Sequence, residues 1–237
     1  MDAAGYATLT RQTGLMREMQ IVANNIANAA TAGYRAEGLV FSEFVRRAGD
    51  GPSLSMARGN IAVTSVAQGA LGATGGAFDF AIEGEGFFLV ETPRGERLTR
   101  NGAFALSAAG DLVTASGFRV LDAGGAPVFV PPGSGAPGLA ADGTLSGDGR
   151  PLAQLGLFRP AGDGALIRAG GNLHEAPDGI EPVIGGRIKQ GFLEGSNVEP
   201  MTQIARLIEV QRAYEMGQSF LETENQRVRD ALDTFIR

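Results

Sequence analysis

Glycine and proline divide this chain into three parts. Most of its 36 glycines and 11 prolines fall between Gly49 and Pro200, while only Gly14 interrupts Thr8 to Ala32 and only Gly217 interrupts Met201 to Arg237. Glycine leaves the backbone too free and proline lacks the amide hydrogen, so both disfavour helix interiors. The distribution therefore predicts a helix at each end of a β-rich body, an α+β chain. With 237 residues and 43% hydrophobic side chains it can bury a sizeable core, as one large or two modest domains. The expected segments are an N-terminal helix in 1–34, an extended linker with short strands in 35–77, a β-rich body in 78–190 and a C-terminal helix in 191–237.

In the first segment Met16, Met19, Ala23, Ile26 and Ala30 recur at alternating steps of three and four, which places them on one helix face. Leu15, Val22 and Ala29 lie beside that stripe and broaden it. Asn24, Asn25 and Asn28 are poor helix formers because their amides compete for backbone hydrogen bonds, so something is expected to use those amides. Thr31-Ala32-Gly33 closes the element, with Gly33 as the left-handed cap.

The last segment repeats more strongly. Ile204, Leu207, Gln211, Tyr214, Gln218, Leu221, Asn225, Val228, Leu232 and Phe235 follow three-four spacing over more than four heptads, a coiled-coil pattern. One set of seam positions is apolar (Leu207, Tyr214, Leu221, Val228, Phe235), while the alternate set carries Gln211, Gln218 and Asn225. Polar residues at such positions cost stability and fix register or partner number. Asn197 or Ser196 is expected to cap the helix, with Pro200 in its first turn, where a missing N–H costs nothing. From Pro200 onward the helix would run roughly 55 Å at 1.5 Å per residue, longer than a small domain is wide. Ile208, Val210 and Phe220 lie off the seam. A helix of this length with so broad an apolar surface suits pairing with the N-terminal helix and with neighbouring molecules better than burial against its own body.

Between the helices, short apolar or alternating runs at Phe78 to Ile82, Gly86 to Val90, Arg97 to Thr99, Gly102 to Leu106, Leu112-Val113, Phe118 to Leu121 and Val128 to Val130 are separated by turn signals such as Pro93-Arg94-Gly95, Asn101-Gly102 and Ala123-Gly124-Gly125. Turns about every ten residues indicate antiparallel β structure closing as a sandwich or barrel.

Little in this sequence suggests catalysis. A net charge of −6 and no Lys/Arg run disfavour nucleic acid as a partner. Without cysteine there is no disulfide, thiolate metal site or cysteine nucleophile. His174 is the only histidine and reads as part of a polar loop, which rules out a histidine metal cluster and leaves it without a partner for base catalysis. Gly84-Glu85-Gly86-Phe87 lacks the third glycine and the following helix of a dinucleotide site. Asp142-Gly143-Thr144 and Asp148-Gly149 lack the remaining ligands of a calcium loop and read as turns. No cofactor or metal is expected. Met1-Asp2-Ala3-Ala4-Gly5 does not resemble a cleavable signal peptide, and no stretch approaches the roughly 20 apolar residues of a membrane span. A cytoplasmic protein, or one exported by a route that reads another signal, is expected.

Residues Ile21 to Arg35 (IVANNIANAATAGYR) closely resemble the amino-terminal signature of bacterial flagellar rod and hook proteins, in which an Ala-Asn-Asn run precedes a Thr-x-Gly-aromatic turn. Gly195-Ser196-Asn197-Val198-Glu199-Pro200 and Ile208 to Glu215 resemble the family's carboxy-terminal signature. Asp79 to Val90 and Leu98 to Phe104 look like the β module of its rod members. The length and Gly191 to Val198 look most like the proximal-rod member, with the distal-rod member as the nearest alternative.

The resemblance implies a non-enzymatic subunit of the periplasm-spanning rod of the basal body, assembling axially for flagellum-dependent motility. Its terminal helices would pair as an inner coiled-coil domain with the β body outside. Its partners would be copies of itself, other rod subunits and the flagellar type III export apparatus, through which it passes unfolded. The terminal segments would then be loosely ordered in the monomer and ordered on incorporation. The assembly interface expected from the two stripes is Met16, Met19, Ala23, Asn24, Asn25, Ile26 and Asn28 with the C-terminal series Ile204 to Phe235 above. A different class, a secreted glycan-binding or peptidoglycan-acting β protein, would need two carboxylates facing a cleft. Glu83, Glu85 and Asp111 are the residues to inspect for that.

Overall fold

The computed structural model describes residues 3–46, 54–162 and 164–236. Phe235 lies in the C-terminal helix, but its side chain falls outside the described residues. The architecture is an N-terminal helix α1 (Ala3–Ala27), a β-rich body of antiparallel sheets, and a C-terminal helix α2 (Pro200–Ile236). The chain forms two compact units. One comprises Met1–Ala27, Glu37–Val63 and Glu199–Arg237; the other comprises Asn28–Ala36 and Thr64–Val198.

The first unit holds both helices and a two-stranded sheet of Glu37–Arg46 and Leu54–Thr64. The helices lie against each other in opposite directions: Gln12 meets Tyr214, Glu18 meets Arg206 and Asn25 meets Gln203. On α1 the face turned inward carries Gln12, Leu15, Glu18, Val22 and Asn25. On α2 it carries Gln203, Leu207, Val210, Tyr214, Gly217 and Leu221. The α1 seam is turned by one residue from the stripe read in the sequence; on α2 Leu207, Tyr214 and Leu221 keep their place and only the alternate positions shift by one. Met16 and Ala23 are exposed, as are Ile204, Gln211, Gln218 and Asn225, while Val210 and Gly217 occupy the alternate inward positions. The reason is physical. Gly217 has no side chain to signal its place, and the apolar residues of α2 form a band too broad to fix one phase.

The second unit is built around a seven-stranded antiparallel sheet. Its order across the sheet is Ile167–Gly170, Leu173–Glu175, Gly95–Thr99, Phe88–Thr92, Arg119–Val120, Leu112–Thr114 and Phe104–Leu106. Smaller ladders surround it, among them Arg187–Gln190 on Phe80–Glu83 and Phe192–Glu194 on Leu71–Ala73. Side chains alternate across a strand. In Phe87-Phe88-Leu89-Val90, Phe88 and Val90 enter the main core with Phe80, Ile82, Leu112, Val120 and Leu145, while Phe87 and Leu89 enter a second cluster with Leu98, Leu121 and Phe158. That run is apolar without interruption because both faces of its strand are covered. Phe88 meets Phe104 edge-on at 5.2 Å, the favoured aromatic geometry.

Three local expectations are corrected. Helix α1 stops at Ala27, so Ala30 and Gly33 lie beyond it. Gly33 does take a left-handed φ of 66°, but in service of the body and not as a helix cap. Asn197 and Ser196 do not cap α2, which begins at Pro200 after Glu199. Instead Ser196 accepts the Val198 N–H, and Asn197 bridges separate backbone segments. His174 is fully buried in the strand Leu173–Glu175, not in a loop. Its polar neighbours in sequence alternate with it to the other side of the sheet or sit in the adjoining turn.

Candidate assembly surfaces

Two places in the molecule concentrate polar side chains against the apolar background. The first, in the second unit, is where the chain leaving α1 and the chain entering α2 are stitched to the body. Glu194 is buried between two guanidiniums, with Arg35 3.0 Å from one carboxylate oxygen and Arg100 3.0 Å from the other. The Gly69 N–H donates to the same carboxylate at 2.9 Å. Arg100 also donates to the Gly84 carbonyl at 2.7 Å, and Arg35 to that of Ala67. Burial pushes the Arg100 guanidinium down to about 10, opposed by the Glu194 charge and reinforced by Arg35. Burial lowers Arg35 as well, again opposed by Glu194. One carboxylate thus offsets two desolvated cations, a cluster that stands only while all its members are present.

The turn of the N-terminal signature builds onto this cluster. The Gly33 N–H donates to the Glu194 carbonyl at 2.7 Å. A Cβ at Gly33 would lie 2.3 Å from the Asn101 amide nitrogen, so only glycine fits there. Tyr34 is buried beneath Arg168, whose guanidinium sits 4.4 Å from its ring centre. Asn197 accepts the Ala36 N–H at 2.7 Å and donates to Ala67 at 2.8 Å, tying the incoming and outgoing segments directly. His174 lies beside this cluster with its ring 5.9 Å from Phe87. Burial, with Arg168 and Arg35 nearby, pushes its pKa down to about 4, so it is neutral at pH 7.

The second place is the helix pair of the first unit. The Asn25 amide donates to the Glu37 carbonyl at 2.8 Å and to Gln203 at 3.2 Å, and its oxygen accepts the Glu37 N–H at 3.0 Å. That is the use of the amide expected from the sequence. Asn28 accepts from the Thr31 hydroxyl at 3.1 Å in the turn after α1, and Asn24 is exposed. Met19 and Ile26 are partly buried. Leu207, Tyr214 and Leu221 face α1, whereas Met16, Ile204, Val228 and Leu232 present apolar surface outward. Arg206 pairs with Glu18 at 2.6 Å. Sequence reasoning assigned no role to Gln12, Glu18, Arg35, Arg100 or Glu194. The available signal was single charged or amide residues set within apolar or glycine-rich runs, such as Leu193-Glu194-Gly195.

Of the carboxylates named for a hydrolytic site, Glu83 does not suit one. Glu83 is held by Lys189 at 3.0 Å, and that bond and charge lower its pKa, the opposite of what a general acid needs. Among the described residues no group of His, Cys, Asp or Glu is placed to hold a metal ion, and no helix is long and apolar enough to cross a membrane.

Comparison with known proteins decides the family. The family described as "Flagella basal body rod protein" matches residues 9–35, "Flagellar hook protein FlgE/F/G D1 domain" matches 81–147, and "Flagellar basal body rod FlgEFG protein C-terminal" matches 189–234. The chain is 39% identical to the flagellar basal-body rod protein FlgF of Caulobacter vibrioides, over 98% of each chain. It is equally 39% identical to FlgF of Mesorhizobium japonicum, over 91% of this chain and 90% of the relative. The chain belongs to the FlgF group of flagellar basal-body rod proteins. Similarity to the rod protein FlgG is lower, 32% for that of Buchnera aphidicola over 88% of this chain and 90% of the relative. Members of this family are structural parts of the basal-body rod and not enzymes, and this chain is one of them. The matched termini coincide with α1 and its following turn and with the segment from Lys189 through most of α2.

Proposed function

We propose that this rod protein occupies the proximal rod and assembles there through a coiled coil of α1 and α2 that packs on the helices of copies of itself and of other rod subunits. The observation that carries this reading is the apolar surface left over once the two helices have met. Ile204, Ile208, Val228 and Leu232 of α2 and Met16 of α1 remain 43–56% exposed. Water-exposed apolar rows on a helix pair are costly to a solitary molecule and are covered when neighbouring helices dock. Counting from the Gln12–Tyr214 contact, α1 reaches only to about Thr223, so α2 carries Val228 and Leu232 past the end of its partner. The assembly interface therefore comprises Met16, Ala23, Ile204, Gln211, Gln218, Asn225, Val228 and Leu232 on the outer faces. Asn24 flanks them. Met19, Asn25, Ile26, Leu207, Tyr214 and Leu221 hold the pair itself, and Asn28 the turn that follows α1.

The proximal position rests on the higher identity to FlgF than to FlgG relatives. The rod lies across the periplasm, and the subunit reaches it unfolded through the flagellar type III export apparatus, after which the body folds and the helices enter the growing rod to support motility. Deleting Ile204 to Arg237 is expected to leave a folded β body that exports but no longer enters rods, measured by calorimetry and by rod assembly in a strain lacking the native gene. Normal rods and swimming with that truncation would overturn the reading.

A further inference from the structure

The apolar part of the α1–α2 contact cannot by itself choose a register. Leu15 and Val22 are seven residues apart, and so are Leu207, Tyr214 and Leu221, so sliding one helix by a heptad sets apolar on apolar again. Gln12 breaks this degeneracy. Its side chain is almost wholly buried, and its amide donates to the Tyr214 main-chain carbonyl at 2.8 Å. It reaches that carbonyl because Gly217 carries no side chain. A Cβ at Gly217 would stand 2.2 Å from the Gln12 amide nitrogen. Gly217 is the only glycine in α2, placed where glycine weakens a helix. A slip of seven residues would set Gln12 against Val210 or Glu224, whose side chains cover the backbone.

We propose that Gln12 and Gly217 are the specificity-determining pair of the helix contact, the buried amide reading the one bare place on α2 and so setting its register and excluding helices that carry a side chain there. The inference rests on the helix pairing proposed above and names the residues that make it selective. The flanking pairs agree with one register as well: a slip would move Glu18 from Arg206 to Ala213 or to Glu199.

The chain has no cysteine, so spin labels can be placed cleanly at Ala23→Cys and Ser219→Cys, exposed positions far apart along the pair. A heptad slip changes their separation by about 10 Å, seven residues at 1.5 Å each. In the full chain, the protein with Gln12 and Gly217 intact should give one distance, while Gln12→Ala and Gly217→Ala should each add a second population displaced by about 10 Å. A glycine without this role would behave oppositely, since alanine strengthens a helix. One unshifted distance in both variants, with a raised melting temperature for Gly217→Ala, would overturn the proposal and leave helix pairing intact. No defined distance in the labelled chain with both residues intact would instead overturn the pairing on which it rests.

Discussion

Replacing Glu194 by glutamine tests whether the ion cluster holds the segments around Arg35 and Glu194 within the second unit. The substitution keeps volume and planarity and removes only the charge. Both guanidiniums would then stay buried without the carboxylate they share, since Arg35, Arg100 and Glu194 are each no more than 3% exposed. Removing one member of a buried pair costs about 3–5 kcal/mol, because the remaining charge has lost water and gains nothing in return. For a unit of this size each kcal/mol moves the melting temperature by roughly 2–4 °C, so the expected fall is roughly 6–20 °C. Calorimetry of the full chain reads it. Glu83→Gln makes the same change of net charge at an exposed carboxylate that meets Lys189 and Arg187, and should leave the transition almost unmoved. If the two variants melt together, the Arg–Glu–Arg cluster contributes no more than a surface pair and the argument fails.

Two further perturbations probe the same region. His174 is neutral in the folded protein down to about pH 4 but is protonated below about 6.5 in the unfolded chain. Stability should therefore fall by about 3 kcal/mol as pH drops through that window, and His174→Leu should flatten the slope of melting temperature against pH between 6.5 and 4. An unchanged slope would refute the assignment. Gly33→Ala combines a left-handed φ with a Cβ pressed onto main-chain atoms of Arg100 and Asn101 that cannot yield. It should cost about 2–4 kcal/mol in denaturant unfolding, and a loss below the error of that measurement would show that the turn relaxes freely.

Periodicity and punctuation made the architecture legible. Glycine-poor ends became helices and a glycine-rich middle became antiparallel ladders, because those effects act over a few neighbouring residues. The ion cluster within the second unit was not legible. Arg100 and Glu194 stand 94 residues apart, and nothing local to either marks the other as its partner. His174 misled for a related reason. Its strand is three residues long and flanked by turns, so local polarity outweighed a burial imposed by Leu98 across the sheet and by Phe87 beside it.

The helix phase shows how far such a reading extends. On α2 the set Leu207, Tyr214, Leu221 belongs equally to two adjacent seams, one completed by Val210 and Gly217, the other by Gln211 and Gln218. Hydrophobicity favours neither strongly, because one alternative contains a glycine and the other contains amides. The structure gives the first seam to α1 and leaves the second outside, where Gln211 reaches Glu215 and Gln218 reaches the Tyr214 hydroxyl along the same helix. On the proposed assembly the two seams are not rival readings of one contact but two faces of one helix. An inner face selects its partner by a buried amide and a missing side chain. An outer face, edged by Gln211 and Gln218 that each already make one bond along the helix, would carry those bonds into a contact with a neighbouring helix. A subunit that assembles as proposed, first finding its own second helix and then accepting others, needs both.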